Sequence, residues 1–323
     1  MIKKIYFGLI TVTTVMAIVL SISFAVDWGV RRWQMEQKLS DTEIFNGTVS
    51  NKIAQLETVT YPCNPRTVYN PRTKTSKTIY EDCRRDVINY RIELSFGDTL
   101  DYGTQDRSQR PPREWQDLNL GQPASLPKKY RNYIKASDTT ILKRKAFLSN
   151  YQYAKLVPEI PRVYDRIKVD QVIAINDKDG YKKYDKAQMD IFNKRLAGLN
   201  GKLGESKQLN TIVILVPDYM NDMIYAVDQK WIGGNKNEVI VFINLAKDRS
   251  ITRVQSLSWS TSNGDIEAKL DNILVNEVKQ INNEEEINTA IDKIQSTLDS
   301  TFDRKSMQDY EYLLQEIKSK YGF

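Results

Sequence analysis

The spacing of apolar residues changes character several times along the chain. From Ile5 to Val26 no residue is charged, a run of about the length a helix needs to cross a bilayer core. Residues 27–42 turn polar and charged, with Trp28, Val30, Trp33 and Met35 spread among them, which predicts a short stalk continuing that helix. From Phe45 to about Ile141, prolines interrupt stretches of alternation such as Val87-Ile88-Asn89-Tyr90-Arg91-Ile92-Glu93-Leu94. Alternation rich in β-branched and aromatic residues predicts short strands, and Phe96-Gly97-Asp98-Thr99 is turn chemistry.

Beyond the proline-marked linker Leu156–Pro161 the period shifts again. Val169 to Ile173 predicts a short strand, and Met189, Phe192, Leu196, Leu199 and Leu203 recur at helical steps. The unbroken runs NTIVILV (Asn210–Val216) and EVIVFINL (Glu238–Leu245) suit strands buried on both faces of a parallel sheet. Met220 to Trp231 predicts the helix between them, stopped at Gly233-Gly234-Asn235, so strand, helix and strand make a βαβ unit. A strand at Ile251–Leu257 and three further helices, ending with one over Met307–Tyr321, complete the pattern. The expected fold is mixed α+β and α/β. Its parts are a membrane anchor or signal at 1–28, a stalk at 29–44, a β-rich domain at 45–145 and an α/β domain at 157–323.

Composition narrows the chemistry. The chain has no histidine, which removes imidazole bases, Ser-His-Asp and Cys-His nucleophiles, and His-ligated zinc. Its two cysteines, Cys63 and Cys83, are close in sequence. Beyond a membrane span such a pair is expected as a disulfide, which places the folded part in an oxidising space such as a periplasm. Trp28, Arg31, Arg32 and Trp33 form a candidate interfacial belt after the uncharged run. Ser23-Phe24-Ala25 fits a processing site, so the segment is either an uncleaved anchor or a cleaved signal; both readings export the rest. Residues 62–145 hold 17 Lys/Arg against 10 Asp/Glu, with no nucleic-acid motif beside them, so a solvated basic face near anionic lipid is expected and no nucleic-acid partner.

Asp218 and Asp248 fall at strand ends of the βαβ unit, where open α/β sheets bind ligands, and Asp170 begins the domain, so three carboxylates are expected near one sheet edge. Together they could hold Ca²⁺ or Mg²⁺, or a water for attack on a phosphoester. Asp218 could equally cap the next helix, and Asp248-Arg249 could be a turn pair. Asn46-Gly47-Thr48 matches a glycosylation sequon, a pattern frequent by chance. Tyr130, Tyr133, Tyr151, Tyr153 and Tyr164 suggest a recognition surface, or packing between layers with hydroxyls exposed.

Val169-Asp170, the strand NTIVILVP, Tyr225-Ala226, Lys230-Trp231-Ile232-Gly233, EVIVFINL and Asp248-Arg249 together resemble the TPM domain of thylakoid repair proteins and membrane-anchored bacterial proteins. That resemblance implies an anchored βαβ sandwich, in some members acid-phosphatase-like or Ca²⁺-binding through acidic residues at the sheet edge, here Asp170 and Asp248. The chain departs from the family at Asn237-Glu238, where a glycine usually follows the asparagine, and at Leu257-Ser258-Trp259-Ser260, which replaces a glycine-rich stretch. Nearly end to end, the chain also resembles a group of membrane-anchored tailed-bacteriophage proteins. The likeness is carried by Gly47-Thr48-Val49, the cysteine pair, Pro112-Arg113-Glu114-Trp115, Asn132–Ala136, Trp231–Asn237 and Arg304-Lys305.

The resulting expectation is a single-pass protein of the cytoplasmic membrane with its soluble part outside the cytoplasm. Its partners would be the lipid bilayer and an envelope or membrane protein, with a role such as modifying phage entry or lysis, and no catalytic set. The alternative is a divalent-metal-dependent phosphatase-like hydrolase of the TPM type.

Overall fold

The structure, a computed structural model, describes residues 2–137, 153–161, 170–175 and 184–323. The uncharged run lies inside one helix, α1 (Ile2–Leu39), which continues only through residue 39 of the stalk expected at 29–44; residues 40–44 are already strand, paired in a sheet. Met16, Leu20, Phe24 and Trp33 stand exposed along it. Among its described side chains, Met35 and Leu39 in the last turns are buried, packing with Ala136, Leu314 and Ile317. Among the described residues no helix is long and apolar enough to cross a membrane.

The β-rich part is one antiparallel sheet of order β3-β2-β1-β4. Its strands are β1 (Ser40–Asn70), β2 (Thr75–Leu94), β3 (Thr99–Asp106) and β4 (Pro123–Arg131). Instead of several short strands, residues 40–70 form a single strand that starts directly after α1. The prolines do not end it because edge strands and bulges tolerate a missing N–H, and the ladder shifts register between Cys63 and Arg66 around Pro65. Val49, Ile92, Leu94, Leu100, Leu118 and Ala124 form this sheet's core. After β4 a single helical turn, α2 (Tyr133–Ala136), is capped by Asn132, whose side chain accepts from the Lys135 N–H.

The second sheet has the order β5-β6-β7-β8. β5 (Val172–Ala174), β6 (Asn210–Pro217) and β7 (Glu238–Leu245) run parallel, and β8 (Ile251–Ser258) runs antiparallel to β7. Every residue of β6 and β7 is buried, which is why each reads as an unbroken apolar run. One face carries α3 (Lys186–Lys207), α5 (Asn263–Ile273) and α6 (Glu284–Thr301); the other carries α4 (Met223–Trp231). α4 ends in the left-handed conformation at Ile232, followed by Gly233 and Gly234, also at positive φ. The C-terminal helix, α7 (Tyr312–Tyr321), docks on α1 and α2 rather than projecting freely. Val169 lies outside the described residues.

Candidate functional site

β1 divides into two halves with opposite surroundings. Glu43 to Gly47 and Val49 are buried, whereas from Asn51 onward the strand is exposed or half-buried throughout. The buried half is clamped by the α/β unit. Along α3, Gly201 and Gly204 face it so closely that a Cβ on Gly204 would lie 2.2 Å from the Asn46 carbonyl oxygen. Glycine is required there because two backbones meet.

A polar seam runs through this contact. Asn46 donates from Nδ2 to the Leu209 carbonyl (3.2 Å) and to Asn210 Oδ1 (2.9 Å), and it accepts from Ser125 Oγ at 2.6 Å. Asn210 donates to Glu238 Oε1 at 3.2 Å, and Gln171 and Asn200 continue the chain of bonds to the Thr211 backbone. Glu238 also accepts from the Asn235 N–H (2.7 Å) and side chain (2.9 Å). Asn237 donates across the boundary to the Ile44 carbonyl at 2.7 Å. Glu43 accepts from Arg304 at 2.8 Å and Lys236 at 3.3 Å; Lys135 pairs with Asp41 at 2.9 Å. Buried polar groups are costly unless paired, so this network fixes one alignment of the two sheets. Burial pushes the Glu238 carboxyl above its ordinary range against the pull of its Asn235 bonds. The Asp41 carboxyl, although burial alone would raise it, sits below the usual range because of Lys135, Asn132 and the Thr42 N–H.

The exposed half of β1 pairs with β2 to form an arm. β3 accompanies β2 only as far as Val87, and the ladder then continues as two strands from Glu57↔Val87 to Asn70↔Thr75, a reach of about 40 Å. The disulfide Cys63–Cys83 crosses it with a Cα–Cα distance of 5.8 Å. Val68, Tyr69, Ile79 and Tyr80 at its far end are each at least half exposed. A two-stranded ribbon is marginal by itself, so the disulfide substitutes for the missing third strand. The expected pairing of the cysteines is thus present.

The three carboxylates are not brought together. The pairing Val172↔Val213 in a parallel ladder puts Asp170 level with Thr211, at the amino ends of the strands. Asp218 follows the carboxyl end of β6, about 23 Å farther along. Asp248 accepts from the Ser250 N–H (3.0 Å) and Oγ (2.7 Å), closing the turn into β8. Among the described residues no three acidic or cysteine side chains form a group that could hold a metal ion. Strand direction is the reason: one carboxylate precedes its strand and two follow theirs.

Asn46 is buried with its amide donating inward, so its sequon is not accessible. Tyr130 contributes its hydroxyl to the seam through Asn132 at 2.8 Å, and Tyr133 packs against α1 and α7. Tyr153 stacks edgewise on Tyr219 at 6.1 Å. Tyr151 and Tyr164 lie outside the described residues. Arg31 pairs with Asp27 at 2.7 Å and Arg32 lies 5.2 Å from the Trp28 ring centroid, while Trp33 is exposed. The chain is therefore a mixed α+β protein with one disulfide and a projecting N-terminal helix. No protein-family model, curated protein or solved structure matches it.

Proposed function

We propose that this chain is a single-pass, membrane-anchored protein that presents the β1–β2 arm outside the cytoplasm to an envelope or membrane partner, without catalysing a reaction itself. The arm carries this reading. It is exposed on both faces, bears large apolar side chains at its tip and is held by a disulfide, a combination suited to contact rather than to chemistry. Support for the anchor comes from the uncharged run Ile5–Val26 inside α1 and from the exposed Trp28 and Trp33 after it. The disulfide suits an oxidising compartment. On this reading the α/β unit is a TPM-like scaffold whose seam holds the arm's base, in a protein of the kind that modifies phage entry or lysis.

The test is fractionation of cells making the full chain. Carbonate-washed membranes are expected to retain it, with Cys63 and Cys83 unreactive to maleimide until a reductant is added. A chain recovered in the soluble fraction with freely reactive thiols would end the proposal. A photo-cross-linker at Tyr69 is expected to trap an envelope component that the same probe at Leu120, exposed but off the arm, does not.

A further inference from the structure

The residues at the arm's end differ between its two faces. Directly opposed residues of an antiparallel pair share a face, so Arg66 with Ile79 and Val68 with Lys77 make one face, and Tyr69 with Ser76 and Thr67 with Thr78 make the other. Tyr80, two residues past Thr78, joins the second. No carboxylate lies between Arg66 and Tyr80, while Arg66, Arg72, Lys74 and Lys77 do. Among the described residues, only Arg66 of these forms an ion pair, with Glu81 at 3.0 Å. The turn joining the strands is built locally, with the Arg72 N–H donating to Asn70 Oδ1 at 3.0 Å, and it turns Arg72 and Lys74 outward at the apex, both exposed.

Resting on the proposed arm-presenting role, we propose that the tip, residues 66–80, docks on an anionic lipid surface. A protein patch would cover one face of the ribbon and leave Tyr69 and Tyr80, or Val68 and Ile79, in water. A headgroup layer surrounds a protruding tip on both faces at once. It takes tyrosine at the level where aromatic rings settle in membranes and attracts the cations of Arg72, Lys74 and Lys77, which stand in a stretch with no carboxylate. The tip lies at the opposite end of β1 from α1, so the chain has one lipid-directed segment at each end of this strand.

The test uses the full chain reconstituted in phosphatidylcholine vesicles, challenged with a second, labelled vesicle population of either pure phosphatidylcholine or a 70:30 mixture with phosphatidylglycerol. Capture of the anionic vesicles is expected to exceed that of neutral ones by roughly tenfold or more at low salt, and to fall as ionic strength rises. R72E/K74E/K77E is expected to abolish that preference. Y69S/Y80S is expected to weaken capture severalfold while leaving the salt dependence in place. Unchanged melting and an intact disulfide in each variant exclude misfolding. Equal capture of neutral and anionic vesicles, or full capture by the charge-reversed variant, overturns the proposal. So does transfer of the arm's cross-links to an acidic protein or to nucleic acid with no lipid preference. If α1 fails to hold the chain in the first vesicles, the anchor is refuted separately, and co-sedimentation of the free full chain with anionic vesicles still decides the role of the tip.

Discussion

The two halves of β1 are built from similar residues and put to opposite uses. Ile44, Phe45, Asn46 and Val49 are buried, Val49 in its own sheet's core and Asn46 bonded both to Ser125 of β4 and to the α/β unit; Leu56, Tyr61, Val68 and Tyr69 project into solvent from the same strand. What differs is the partner, not the strand. The first half has β4 on one side and α3 across it, whereas beyond Val87 the second half has only β2 and a disulfide. Apolar side chains gain by burial only where another element arrives to cover them. The first half is therefore expected to behave as core and the second as a presented element.

Substitution at Gly204 should break the contrast most severely. Gly204→Ala drives a Cβ into the Asn46 carbonyl, and a loss of about 3 kcal/mol or more in urea unfolding is expected. Gly198→Ala, on the same helix with nothing within 4 Å of the new Cβ, should instead stabilise by roughly 0.5–1 kcal/mol. Equal effects at the two glycines would refute close packing at the seam.

Glu238 comes next. Glu238→Ala orphans Asn210 and Asn235 donors and should cost about 2–3 kcal/mol; Glu238→Gln, which keeps an acceptor, should cost less. The sign of its pH dependence follows from burial. Because the folded carboxyl holds its proton more tightly than an ordinary glutamic acid near 4.5, its contribution is fully present below that value and declines as pH rises through the folded pKa. Comparing the pH–stability curves of wild type and Glu238→Gln isolates this fall, and identical curves would show that Glu238 does not titrate there.

Removing the disulfide should affect the arm alone. Cys63→Ser with Cys83→Ser is expected to cost the arm roughly 2–3 kcal/mol of local stability, read as faster amide exchange across residues 58–85, with little change in the melting of the seam. Smallest of all, Tyr69→Ser at the tip should change global stability by less than about 0.5 kcal/mol, whereas Ile44→Ala should cost about 2–4 kcal/mol.

Sequence pattern resolves these regions unequally. β6 and β7 were legible because burial on both faces leaves an unbroken β-branched run, and α3 because its covered face repeats at helical steps. β1 was not legible as one strand. Alternation records a half-buried surface, and beyond Asn51 both faces are largely wet, so nothing selects apolar residues at every second place and prolines are tolerated. The seam was hidden for a different reason. Asn46, Asn210 and Asn237 look like turn or cap residues in one dimension, and only the meeting of β1 with the amino ends of β6 and β7 gives them partners. The carboxylates failed as a set because all three were assigned to one sheet edge, whereas in a parallel sheet Asp170, before its strand, and Asp218, after its strand, lie at opposite ends.

Hydrogen exchange on the full chain, oxidised and then reduced, tests most directly whether one strand serves both as clamp and as presented arm. Reduction should release amides across residues 58–85 by one to two orders of magnitude while 43–49, 210–217 and 238–245 stay protected, given about 2–3 kcal/mol from the disulfide. Simultaneous release of the arm and the seam would show instead that β1 opens as a single unit.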